Sequence, residues 1–197
     1  MNIKKHLGWI IPAVLICYIL GWGVGRYNKL VNMDEQVNGQ WANVETQYQR
    51  RADLIPNLVN TVKGYATHER TTLEGVMKAR SEATQVKVDP TNLTPEKLAQ
   101  FQKAQGDISA ALGRLLMLRE NYPQLKANEN FLELQAQLEG TENRITVARR
   151  DFNEAAKSYN TKIRNFPTNL IAGMFGFEKK AYFEAAEGSE KAPEVKF

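Results

Sequence analysis

Few side chains in this chain of 197 residues have the type and spacing that a reaction centre needs. His68 is the single histidine beyond the first turn of leader sequence, and a metal or general-base role would need partners close by. No second His or Cys stands near it, and no Glu lies three positions before it, so the Glu-x-x-His pairing of a carboxylate-bridged di-iron centre is missing. Serines 81, 109, 158 and 189 belong to no nucleophile-elbow pattern. Glycines 64, 106, 113 and 140 are scattered singly through helical patterns, and none opens a phosphate-cradling turn after a strand. The inventory predicts a protein that is not an enzyme, with no metal, no cofactor and no evident small-molecule ligand.

Other polar residues stand out for where they fall. Glu69 lies on an apolar stripe, Arg50, Arg51 and Asp53 gather near a proline, and in "LEGTENRI" the apolar spacing pauses so that Thr141 and Glu142 occupy the phase between Leu138 and Ile145. A charge facing a core is costly unless paired. The expectation is a semi-buried network in which Glu69 or Glu142 meets Arg50, Arg51 or Arg144 and fixes helix register. The alternative is that these charges sit at the stripe edge and reach water.

Residues 7 to 25, "LGWIIPAVLICYILGWGVG", contain no charge and are bracketed by Lys4 and Lys5 on one side and Arg26 and Lys29 on the other. That length suits a membrane-crossing helix. Trp9, Ile10, Leu15, Leu20 and Trp22 are its candidate anchor residues, with the two tryptophans about 20 Å apart along the axis, where interfacial aromatics belong. A cleaved signal peptide is the competing reading, since Ile10 to Leu20 has the right length and small glycines follow. The retained anchor is preferred because Tyr18 and Trp22 would crowd a cleavage site and helical sequence follows without a spacer. Lipid attachment at Cys17 is disfavoured by Ile16 before it, and Gly21-x-x-x-Gly25 is only a weak helix-pairing signal. Positive charges on the two sides are tied; the tight packing of Lys4 and Lys5 at the chain start tips the expectation toward a polar domain on the outer, periplasmic or extracytoplasmic, face.

Beyond the span, Leu30, Met33, Val37, Trp41, Val44 and Tyr48 make one apolar helical stripe, continued by Ala52, Ile55, Val59, Val62 and Ala66. Pro56 interrupts it. Inside a helix it would cost about 3 kcal/mol or more, but in a first turn almost nothing, so the spacing predicts a new helix at Leu54 capped by Asp53. A third helix opens on Thr94-Pro95 and stops before Pro123; a fourth opens on Asn128 and stops at Pro167. Short connections predict antiparallel neighbours, hence an all-α, antiparallel up-and-down four-helix bundle following one N-terminal transmembrane helix. A kinked long first helix in a three-helix arrangement is the alternative.

The balance of 26 Lys and Arg against 22 Asp and Glu includes Lys4 and Lys5, and both signs are interspersed elsewhere, which argues against nucleic-acid binding. The lone Cys17 allows no intrachain disulfide. Near the end, Leu170, Ile171, Met174, Phe175, Phe177, Tyr182 and Phe183 form an apolar cluster expected to dock on the bundle end, to contact another subunit, or to rest as a lip on the membrane. The organisation expected is an anchor over 1–25, a bundle over 26–167, an apolar segment over 168–185 and a disordered tail over 186–197.

The blocks "YNKLV", "QRRADLIPNLVNTVKGYATHE", "YPQLKANENFLELQAQLEGTENRITVARRDFNEAAKSYNTKIRNFP" and "GFEKKAYFEA" closely resemble the LemA family of bacterial membrane-anchored proteins. The resemblance spans about residues 26 to 185 in the same order. It implies four long helices behind one transmembrane helix in the bacterial cell membrane, and no accepted activity or cofactor. The expected role is a non-enzymatic scaffold or protein-interaction module of the envelope that binds itself or another membrane protein. The alternative is an accessory partner of a membrane protease or other envelope protein.

Overall fold

The computed structural model describes residues 3–184, with side chains from residue 9 onward, so the tail expected over 186–197 lies outside the described residues. Among the described residues there is no strand. The long elements are α1 (Ile3–Lys63), α2 (Arg70–Gln85), α3 (Pro95–Met117) and α5 (Glu129–Arg164); the short α4 (Pro123–Lys126) and α6 (Thr168–Phe175) complete the set.

The predicted break at Leu54 does not occur. Helix α1 runs through Pro12 and Pro56 without interruption, and Asp53 is an exposed residue within it rather than a cap. The reason is tertiary. Pro56 has no N–H for the carbonyl of Ala52, four residues earlier. Arg80 on α2 supplies the missing donor, its Nε reaching Ala52 O at 2.7 Å. The chain turns instead at Gly64, after the amides of Tyr65 and Ala66 close onto Val62 O. The other predicted starts stand where the caps put them. The Thr94 hydroxyl accepts from Lys97 N ahead of Pro95, and the Asn128 side chain accepts from Phe131 N at 2.9 Å.

As α1 ascends from Trp41 to Arg51, its partners on α3 ascend from Phe101 to Ser109 and those on α5 descend from Phe152 to Glu142. The hydroxyl of Tyr122, just after α3, reaches Glu69 at the start of α2, so those two helices run in opposite directions. The apolar side chains form two clusters. One gathers Leu30 to Tyr48 of α1 with Leu98 and Phe101, the second half of α5, and α6. Its centre is fully buried Trp41, with Phe101, Phe152 and Phe183 ring centroids at 5.3, 5.6 and 5.8 Å. The other gathers Ile55 to Ala66, α2, Ile108 to Leu115 and the first part of α5.

The apolar N-terminal part of α1 is long enough to cross a membrane, and residues 9 to 21 of it are exposed. Trp9, Ile10, Leu15 and Leu20 are exposed, whereas Trp22 is half-buried against the first cluster, with the Arg26 guanidinium over its ring at 5.3 Å.

Candidate functional site

Between the two apolar clusters lies a polar layer, one contribution from each of three helices. On α1 it is Arg51, between Tyr48 and Ile55; on α3 it is Gln105, between Phe101 and Ile108; on α5 it is Thr141 and Glu142, between Leu138 and Ile145. Each is where a helical stripe changes from one cluster to the other.

Arg51 is 1% exposed and its four terminal N–H groups are spent on the other two helices. One nitrogen donates to Glu142 Oε1 at 2.7 Å and to Ser109 Oγ at 2.8 Å; the other donates to Gln105 Oε1 at 2.6 Å and Gln105 O at 3.0 Å. The guanidinium also lies over the Tyr48 ring, 5.1 Å from its centroid, and burial pushes the Tyr48 phenol above its usual range against the pull of Arg149 and Arg51. Thr141 returns its hydroxyl to Gln137 O, the ordinary way to hide a polar group inside a helix.

The remaining polar candidates are apart from this layer. Arg50 and Arg144 are exposed, and Asp53 accepts from Gln49 on the α1 surface at 2.8 Å. Glu69 pairs with no arginine; it accepts from Tyr122 at 3.2 Å, and burial together with this carboxylate raises the Tyr122 phenol. His68 is exposed. Among the described residues, no three His, Cys, Asp or Glu side chains gather as a metal would require.

Next to the polar layer an open groove of about 720 Å³ runs between α3 and α5, with Tyr48 and Arg51 beneath it and Lys103, Thr146 and Arg149 along it. Its end is crossed by the segment that follows α6. This strap is held by two side-chain amides of α5. Asn160 donates to Lys180 O at 2.8 Å while Lys180 N donates back to Asn160 Oδ1 at 2.9 Å; Asn153 makes the same two-bond ring with Phe183, at 3.0 and 2.9 Å. The two amides are seven positions apart on α5, about 10.5 Å, which matches the three-position step from Lys180 to Phe183 in extended chain. The spacing of the two asparagines on α5 was the available signal. Lys180 is buried, its ammonium on Asp34 Oδ1 at 3.0 Å and Pro90 O at 3.1 Å, and Arg149 lies over the Phe183 ring at 4.8 Å.

The apolar cluster of the last segment is divided by this docking. Ile171 and Phe183 are buried and Phe177 is half-buried, while Leu170, Met174, Phe175 and Tyr182 stay exposed. Among the described residues the arrangement is one of packing and register.

The chain is 29% identical over 196 residues to magnetosome protein MamQ 2 of Paramagnetospirillum magneticum, covering 91% of this chain and 72% of that protein. It is 29% identical to magnetosome protein MamQ of Magnetospirillum gryphiswaldense over 80% of this chain and 64% of that one. Protein LemA of Metamycoplasma hominis is 28% identical over 83% of this chain and 71% of its own length. None of these names carries a reaction or a substrate. The pattern that defines the LemA family matches residues 40–197, so the chain belongs to the LemA family.

Proposed function

We propose that the chain is a non-enzymatic, membrane-anchored scaffold of the bacterial envelope, in which the apolar start of α1 spans the cell membrane and an antiparallel up-and-down four-helix bundle is held beyond it. One observation carries this reading: α1 continues unbroken from the apolar run to Arg51, where one buried side chain grips α3 and α5 together. A displacement of the membrane helix is therefore delivered to the whole bundle. With Arg51 buried and Glu142 at the edge of the groove, this ion pair serves to fix the register of α1 against α5, which suits a part that must hold shape.

The scaffold acts by associating with itself or with another membrane protein, and its polar domain stands on the outer face. Light scattering on the purified full chain in mild detergent tests the first statement. A large assembly formed by the chain alone supports self-association; a monomer removes it and leaves the accessory-partner role. For the second, a Ser81→Cys variant with Cys17→Ala is treated in intact cells with a membrane-impermeant thiol reagent. Labelling supports the outer face, whereas labelling only after lysis puts the domain in the cytoplasm.

A further inference from the structure

Residues 165 to 177, "NFPTNLIAGMFGF", carry no charge, and the structure brings them back to the place where α1 leaves its apolar run. The ring of Phe175 lies 4.8 Å from that of Tyr27, and Phe177 lies 5.7 Å from it. Tyr27 is two residues past Gly25, about 3 Å further along the helix axis. Thr168, Ile171 and Ala172 fix one side of α6 in the core. The other side is bare: Phe166 is 80% exposed, Leu170 60%, Met174 77% and Phe175 58%. Leu170 and Met174 are four residues apart on α6 and so share a face, and with Phe166 in the turn just before the helix and Phe175 at its end they make up the exposed row.

We propose that this row is a second membrane contact: Phe166, Leu170, Met174 and Phe175 seat in the interfacial layer of the leaflet from which α1 emerges. This inference rests on the reading of α1 as a membrane span. The occupant is lipid because the exposed row is continuous with the lipid-facing surface of α1 through Tyr27, and α6 is only about 12 Å long, which keeps it close to that level. Clustered apolar side chains on a water-facing surface are unfavourable, while a short apolar face at a membrane surface gains its burial from the acyl boundary. Arg26, Lys29 and Arg164, which flank the two apolar stretches in sequence, are placed for anionic headgroups, with Glu178 the acidic exception. With α1 and α6 both held, the bundle cannot swing freely about residue 26.

The test uses the full chain with Cys17→Ala in nanodiscs of phosphatidylcholine and phosphatidylglycerol at three to one. Single nitroxide labels are placed by Leu15→Cys, Leu170→Cys, Met174→Cys and Ser81→Cys, and collision with oxygen is compared with collision with a water-soluble nickel chelate. Oxygen-dominated collision is expected at 15, at 170 and at 174, with the last two shallower, and nickel-dominated collision at 81. A nickel-dominated signal at both 170 and 174, with 15 still oxygen-dominated, overturns the second contact and leaves the anchor standing. A nickel-dominated signal at 15 overturns the anchor itself. Protection of 170 and 174 from both reagents, with broadening that vanishes on dilution with unlabelled chain, means that a second copy covers the row and also overturns the proposal.

Discussion

Arg80 Nε donates to the carbonyl oxygen of Ala52 at 2.7 Å, and Ala52 is the residue whose helical partner Pro56 cannot supply. A defect on one helix is repaired by a side chain of the next, twenty-eight positions away. Arg80→Ala should therefore cost about 1–2 kcal/mol, the usual loss for a carbonyl left without its donor. In a Pro56→Ala background the backbone N–H returns, and the same Arg80→Ala change should cost clearly less, with a coupling of about 1 kcal/mol. Urea unfolding of the four variants in mild detergent measures this. Equal costs in both backgrounds would show that Arg80 does not compensate for the proline.

The pair Arg51 and Glu142 should respond unequally to truncation. Arg51→Ala removes a wholly buried group, opens a cavity and leaves Gln105 and Ser109 with unmatched polar atoms, so a loss of about 3–5 kcal/mol is expected. Glu142→Ala takes away the counter-charge of the buried Arg51, which then keeps only neutral partners on α3; the Glu142 side chain is 46% exposed, so water offsets part of that loss and a cost of about 2–3 kcal/mol is expected. An unchanged unfolding midpoint for Glu142→Ala would show that the pair does not hold α5 in register.

The helices themselves were legible because their signals are local. Trp41, Val44, Phe101, Ile108, Phe152 and Tyr159 are buried where a 3.6-residue period puts them, and Thr94 and Asn128 cap where short side-chain acceptors belong. Pro56 reads as a helix break because its penalty is large within one isolated helix, whereas the donor that cancels it comes from Arg80 on another. Arg51 stands out in the sequence only as one of the charges gathered near Pro56, and its partners Gln105 and Ser109 look like ordinary surface residues until α3 is packed beside α1. The strap was least legible: its amide partners, Asn153 and Asn160, recognise backbone atoms, which every sequence has.

That mode of recognition predicts a specific failure. Asn160→Asp keeps the acceptor for Lys180 N but loses the donor to Lys180 O and to the Tyr182 hydroxyl, and it places a carboxylate in a buried site. The strap should be released while the helices stay folded. Hydrogen exchange at residues 180 to 183 should rise at least tenfold, and trypsin should cut after Lys179 or Lys180, with helical circular dichroism retained. Asn153→Asp should act in the same direction at Phe183. Unaltered exchange in both variants would mean that the strap is held by its aromatic contacts alone.

Tyr159 gives the fold an alkaline limit. Its ring is buried, and burial, with Asp34 and Glu178 adding to it, pushes the phenol up to about 12. In the unfolded chain the same group titrates near 10. Between these values the unfolded state has lost the proton and the folded state retains it, so stability contributed by the neutral phenol is complete below about pH 10 and falls as pH rises toward 12. Tyr48 and Tyr122 are shifted in the same direction and add to the slope. Absorbance at 295 nm should therefore show a group of phenols that ionise late in the folded protein and earlier in urea. Tyr159→Phe should leave stability at pH 7 nearly unchanged and make its decline from pH 10 to 12 shallower. A decline equally steep in Tyr159→Phe would assign the alkaline limit to other groups.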